Sequence, residues 1–425
     1  MSPSSSFARN ILTVASGTVI AQIIQIFASP VLTRLYAPAE FGALALYLSL
    51  VAVGAIAATG RYELAILVPA DHSDARALTQ LTLGISAAAT VLFLVIAIFA
   101  YLGWIVIPAW QQLGALILLV PIGILLTATY QTLSYWLNRH ARYKVLASSR
   151  IAQSAGMLGT QFGAGAANPI GAALIFGHLV GQITAIVTQV WQGMQSAELR
   201  LGPIDGPAVR RAALDHVRYP KYLVVGHVAN ALSSQLPVLL LAALFNPAVA
   251  GLYALAERVL VLPSSVIGSA IGDVYRQRAA AEYQQHGNCR ALYLRTAGQL
   301  AALSAVPCLM VAFVGEPLFG IAFGARWVPA GRIAALLSGM IFFQIISSPL
   351  SQTVLLAGMH RLDTSWQFLR LGVASAALYI GARIDREPWT AIILYSIGLG
   401  IMHVLHSVMQ YRAAVGHPRP SVSCT

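Results

Sequence analysis

Two adjacent charged residues, Glu257 and Arg258, interrupt an otherwise uncharged apolar run from Ala248 to Gly272. A guanidinium about ten residues into a membrane helix costs about 2.5–3.5 kcal/mol on insertion scales, so it must face a cavity or a partner that ties two helices together. Neighbouring helix residues do not face each other, which makes a pair between Glu257 and Arg258 awkward. A second pair, Arg61 and Glu63, follows the apolar run Phe41–Gly60, and Arg34 precedes it. Charges at such ends also anchor a helix at headgroup depth. His227, Asn230 and Ser234 recur at i, i+3, i+7 within Tyr222–Leu244. That face suits a hydroxyl-rich ligand, and polar glue between helices is the competing account. Gln22, Gln25 and Ser29 form a similar face just before Pro30. Pro30, Pro237 and Pro263 each remove a backbone hydrogen bond inside a run and mark candidate hinges. Glu257, Glu63 and His178 are candidates for coupling to an ion or proton. His178 with Gln182, and His403 with His406, lack the cysteines or carboxylates that would complete a metal site. No phosphate-cradling loop, zinc-protease helix or nucleophile elbow occurs, so the chain reads as a non-enzyme without ATPase or cofactor.

The elements that must position these residues follow from composition. Charged residues make up 9% of the 425 and apolar ones 58%, with a mean hydropathy of +0.73. A soluble domain carries about 25% charged residues. The chain is therefore expected to be an all-α polytopic membrane protein, since each crossing needs about 20 apolar residues. Uncharged runs predict spans at Asn10–Thr33 and Phe41–Gly60, two within Ala77–Asn138 split near Gly103–Gln112, and two within Ile151–Ala197 split near Ala166–Pro169. Six more are Tyr222–Leu244, Ala248–Gly272, Ala297–Gly315, Ile333–Ala357, Trp366–Gly381 and Thr390–Met409. Twelve helices result, and none of these runs alternates as a barrel strand would. Of the 26 Lys and Arg, 20 fall on the side of the N-terminus, five on the other, and Arg258 alone is assigned to a span. Positive residues stay inside, so both termini are expected in the cytoplasm. All seven tryptophans fall near span ends, as interface anchors do. Cys289, Cys308 and Cys424 make no disulfide framework. The net charge of +12 is expected to favour anionic membrane lipid, and nothing points to nucleic acid.

The chain also contains an internal repeat. A shift of 209 residues aligns Leu35–Leu46 with Leu244–Leu255, including Pro38 with Pro247 and Gly42 with Gly251. Shared turn chemistry explains a few such matches, and duplication of a six-helix unit explains all of them. Two pseudo-symmetric six-helix lobes around a central cavity are expected, residues 1–199 and 222–425, joined by a cytoplasmic linker at 200–221.

Against this background the sequence resembles the oligosaccharide flippases of polysaccharide biosynthesis, within the multidrug/oligosaccharidyl-lipid/polysaccharide exporter superfamily. The resemblance is carried by SPVLTRLYAPAEFGALAL (29–46), GRYELAILVPAD (60–71), YWLNRHARYKVLASSRI (135–151), RYPKYLVVGHVANALSSQLPVLLLAALF (218–245), LAERVLVLPSSVIGSAIGDVYRQRAA (255–280), FGARWVPAG (323–331) and SSPLSQ (347–352). It implies a flippase that moves an undecaprenyl-pyrophosphate-linked oligosaccharide to the outer leaflet of a bacterial inner membrane by alternating access. On that basis Arg258, Arg61 and Arg34 are expected to meet the pyrophosphate, because forked guanidinium donors match paired oxygens. His227, Asn230, Ser234, Gln22 and Gln25 would meet sugar hydroxyls. Membrane lipids, a polysaccharide polymerase and a chain-length regulator are the implied partners of a monomer. Glu257 departs from the family pattern, in which the arginine often stands alone. The alternatives are a drug or organic-cation antiporter of the same superfamily, and a membrane polysaccharide polymerase or ligase. The latter needs a sizeable outer-face domain, whereas the largest outer loop expected here is Glu316–Arg332.

Overall fold

The computed structural model describes residues 3–193, 195 and 200–416, with side chains from residue 17 onward except 18, 262–267, 269–270, 273, 360–361 and 364. Among the described residues the regular elements are all helical, and twelve helices have 20 or more residues. They are α1 (Pro3–Leu35), α2 (Pro38–Thr59), α3 (His72–Tyr101), α4 (Val120–Arg139), α5 (Tyr143–Ala167), α6 (Gly171–Gly193), α7 (Val224–Leu244), α8 (Pro247–His286), α9 (Arg290–Phe323), α10 (Val328–Leu350), α11 (His360–Ile384) and α12 (Pro388–Val415). Eight are apolar and long enough to cross a membrane on composition alone. The other four are α1, α5, α8 and α11. The last three carry Arg150, the pair Glu257–Arg258, and Arg370 within their length.

Three expectations need correction. The segment Glu316–Arg332 is not a loop: α9 runs through Glu316 to Phe323, and α10 begins at Val328 after a single turn of 3-10 helix. Pro317 lacks the N–H that would bond one turn back, and Val314 (φ −121°, ψ 17°) takes up the resulting kink without ending the helix. Arg258 is not the one basic residue inside a helix of a predicted span, because Arg370 lies ten residues into α11 and is half-buried. The tryptophans are not uniformly interface anchors either. Trp104 and Trp191 are exposed, but Trp136, Trp327 and Trp366 are buried within the protein.

By packing, the chain divides into two compact units, residues 1–251 and 252–425. In the first, small residues let helices approach closely, as membrane helices without a hydrophobic driving force require. Gly17 of α1 sits on Ala147 of α5, Gly156 of α5 on Thr184 of α6, and Gly54 of α2 on Ile124 of α4. α7 joins this unit through Ser49, whose Oγ donates to Gln235 Oε1 at 2.8 Å. The two repeat copies also meet here. The first turns of α2 and α8 cross so tightly that a methyl on Gly42 would overlap the Pro247 carbonyl, and one on Gly251 would overlap the Pro38 carbonyl.

In the second unit, Gly315 of α9 and Gly331 of α10 cross backbone to backbone, and Gly381 of α11 packs on Ala391 of α12. A polar seam follows α12. Ser347 Oγ lies 3.0 Å from His403 Nδ1, Gln410 Nε2 donates to the Ser347 carbonyl at 2.8 Å, and the His406 ring stacks on Trp366 at 4.8 Å.

Candidate functional site

The end of α2 builds a turn that carries an ion pair. Gly60 terminates the helix in the left-handed region (φ 58°), and Arg61 repeats that conformation (φ 60°, ψ 13°). Glycine adopts it freely, whereas for an L side chain it costs roughly 1–2 kcal/mol. Such strain tends to be retained where a side chain must be aimed. Here it returns the guanidinium toward Glu63, and Arg61 Nη1 lies 3.0 Å from Glu63 Oε1. Glu63 has no exposed surface, while Arg61 keeps 18%. The next residue, Tyr62, is buried with its hydroxyl donating to the Ala213 carbonyl at 3.0 Å. Burial pushes the Tyr62 phenol up from its ordinary value.

A single π-type turn, Tyr219–Leu223, leads into α7 and packs on the short helix Tyr62–Ala65. Pro220 stands at its start, where a missing N–H costs no helical hydrogen bond. Turns of this kind recur at functional sites. One turn later on α7 comes His227, whose imidazole feels the charges of both Arg61 and Glu63; the phenol of Tyr135 on α4 feels them too. Three buried polar atoms converge without a hydrogen-bond partner: Arg61 Nε, Glu63 Oε2 and His227 Nδ1. Buried polar groups in folded proteins are nearly always satisfied, so a donor and an acceptor left open in one place are suited to water or a polar ligand. Asn230 and Ser234 continue from His227 along α7 and are exposed.

The remaining expected residues are placed elsewhere. Arg34 is exposed in the last turn of α1, at the opposite end of α2 from Arg61. Gln25 is engaged in helix packing, its Nε2 donating to Ser154 Oγ on α5 at 3.1 Å, while half-buried Gln22 keeps a buried Oε1 without a partner. His178 is held between Tyr47 OH at 3.4 Å and Gln182 Nε2 at 3.3 Å, and the same Gln182 nitrogen donates to Thr127 Oγ1. Pro30 and Pro237 lie inside α1 and α7; the side chain of Pro263 is outside the described residues.

The second unit holds its own charged centre. The Tyr253 hydroxyl donates to Glu257 Oε1 at 3.5 Å, one turn away on α8, and the Tyr253 ring meets Tyr395 edge-on at 6.3 Å. Arg258 is half-buried on the same helix. Arg370 of α11 acts electrostatically on Tyr395, His403 and His406. Sequence reasoning missed Arg370, although its place within the run Trp366–Gly381 was a visible signal. Among the described residues no three His, Cys, Asp or Glu side chains form a metal-holding group.

Comparison with known proteins adds the context. The lipid II flippase MurJ, in its inward closed conformation, is similar over 93% of this chain and 86% of its own, at 12% identity and a TM-score of 0.71. An inward-facing multidrug resistance MATE family transporter of the MOP superfamily is similar over 92% and 93%, at 11% identity and a TM-score of 0.66. A MOP superfamily transporter from Pyrococcus furiosus is similar over 95% and 94%, at 10% identity and a TM-score of 0.55. No curated protein sequence matches. At these identities the likeness establishes the fold, the one these proteins share, and with the apolar helices it makes the chain a multi-pass membrane protein. A family model described as polysaccharide biosynthesis protein matches residues 31–332, well over half of the sequence. With twelve long helices and this match together, the chain belongs to the polysaccharide biosynthesis protein family.

Proposed function

We propose that the protein is a flippase for undecaprenyl-pyrophosphate-linked oligosaccharide, carrying it from the cytoplasmic to the outer leaflet of a bacterial inner membrane by alternating access. The single observation that carries the reading is the convergence of Arg61, Glu63 and His227, with three buried polar atoms open, in a protein of this family. A lipid-linked sugar offers a polyprenyl tail that stays in lipid, a pyrophosphate, and hydroxyls. The Arg61 guanidinium supplies forked donors for the phosphate oxygens. Glu63 holds that guanidinium in place and accepts from a hydroxyl through Oε2. His227, Asn230 and Ser234 offer further hydroxyl contacts along α7. The excess of Arg and Lys on the Arg61 side supports its assignment to the cytoplasm, where the substrate is assembled. Arg258 and Arg34 are the further phosphate contacts in this scheme, and Glu257 and His178 the coupling candidates. Polymerase and chain-length regulator act downstream on the product.

The organic-cation antiporter has one specific observation in its favour, the carboxylate of Glu257 within α8, held by a neutral tyrosine hydroxyl. Depleting the protein in its host separates the two. A flippase leaves pyrophosphate-linked repeat units accumulating on the cytoplasmic face while drug tolerance is unchanged. Normal surface polysaccharide together with drug hypersensitivity would overturn the proposal in favour of the antiporter.

A further inference from the structure

The segment that joins α6 to α7 has two unlike faces. Helix Gly206–Asp215 starts at Asp205, whose Oδ1 accepts from the Ala208 N–H at 3.2 Å. Its inner face is fixed: Ala212 is buried among Leu78, Leu81, Tyr62 and Trp136, and the Ala213 carbonyl takes the Tyr62 hydroxyl. The preceding strand of chain is held by Gln80, whose Nε2 donates to the Leu201 carbonyl at 2.8 Å. The outer face is different. Arg210, Arg211, Arg218 and Lys221 are exposed, and among them stand Leu214 at 64% and Tyr222 at 65% exposure. Asp205 and Asp215 are the only acids from 205 to 222, and Asp205 is occupied as the cap.

An aqueous surface rewards the cations but not exposed Leu214 and Tyr222; a hydrocarbon surface does the reverse. Headgroup depth in an anionic leaflet rewards both, since apolar side chains enter the acyl boundary while guanidinium and ammonium groups meet phosphates. The segment runs without interruption into membrane helix α7, which fixes it at that boundary. We propose that the outer face of residues 206–222 binds anionic phospholipid headgroups, and that Tyr62 passes the occupancy to the Arg61 turn. The second clause gives the proposed substrate site a lipid-dependent regulator and so rests on that reading; the lipid surface itself does not.

The test uses the full chain in vesicles, with Leu214→Cys carrying an environment-sensitive fluorophore in a Cys424→Ser background; Cys289 and Cys308 are buried. In vesicles with rising phosphatidylglycerol in phosphatidylcholine, the emission is expected to shift to the blue. In Arg210→Gln/Arg211→Gln the same shift is expected to need a several-fold higher phosphatidylglycerol fraction. High salt weakens it, because charges beyond about 10 Å are screened. Amide exchange across residues 60–66 is expected to slow several-fold with phosphatidylglycerol in the parent and not in Tyr62→Phe. Emission indifferent to phosphatidylglycerol, or one that changes only when a soluble acidic protein is added, overturns the lipid surface. Equal slowing of exchange in Tyr62→Phe overturns the relay. Both readouts are independent of any sugar substrate, so they fail separately from the proposed function.

Discussion

Replacing Gly251 by alanine is expected to reduce export about tenfold or more while the protein remains folded in the membrane. A methyl group there enters the Pro38 carbonyl, and the Gly42 amide nitrogen would stand only 2.7 Å away. Both obstacles are backbone, so no side chain can turn aside, and the first turns of α2 and α8 must separate. Gly42→Ala meets the Pro247 carbonyl in the same manner, because the two contacts are copies of one repeat element. Overpacking of this kind costs about 1–3 kcal/mol. In a two-state carrier, 1–3 kcal/mol shifts a population about 5–150-fold. The crossing lies at the Pro38 end of α2, opposite the Arg61 turn. Both variants are expected to loosen this crossing. A cysteine at Ala39, exposed beside the crossing, should react several-fold faster with a membrane-impermeant thiol reagent in Gly251→Ala than in the parent. Unchanged reactivity and unchanged export would show that the crossing does not open during transport.

Arg61→Gln/Glu63→Gln is expected to lower export roughly ten- to a hundred-fold at normal protein level. The double replacement is chosen because removing Arg61 alone strands a buried carboxylate, which destabilises by about 3–5 kcal/mol and would mimic loss of function. Glu63→Gln keeps the carboxylate's shape without its charge, and Arg61→Gln, two bonds shorter, removes the forked cationic donor. A charge-assisted hydrogen bond contributes about 1.5–3 kcal/mol, which sets the expected range. If the pair served only to close the turn after α2, the double variant would export normally while each single variant failed. The ratio of single to double effects, read as a cycle, separates the two roles.

The helices were legible in the sequence because uncharged runs of span length admit little else, and the ends at Gly60 and Pro38 are marked by residues with fixed backbone preferences. The limits of α9 were not, since Glu316, Pro317 and Arg326 together imitate a loop while the chain continues as a kinked helix. Arg370 lay inside the run Trp366–Gly381 but was grouped with the flanking charges. For the site, Arg61 and Glu63 could be found as a pair at a helix end, and His227 as one member of a polar face on α7. Their meeting could not be found, because it depends on α7 packing against α2 through Ser49 and Gln235, and on the π turn Tyr219–Leu223. Likewise the repeat revealed Gly42 and Gly251 as equivalents without revealing that they touch. Gln25 shows the same limit from the other side: its type and spacing suit a ligand-facing residue, and in the structure its Nε2 donates to Ser154 Oγ. Periodicity gives the face of a helix but not what covers it.

The most direct measurement is transbilayer movement of a polyprenyl-pyrophosphate oligosaccharide in vesicles containing the purified protein. The lipid is placed on one leaflet, and its sugar is scored by an impermeant glycosidase or lectin added to the other side. The account predicts that the accessible fraction rises with time in vesicles containing the parent protein, and that Arg61→Gln/Glu63→Gln slows this rise by at least about tenfold. A rate equal to that of protein-free vesicles, under an imposed ion gradient as well as without one, would contradict it.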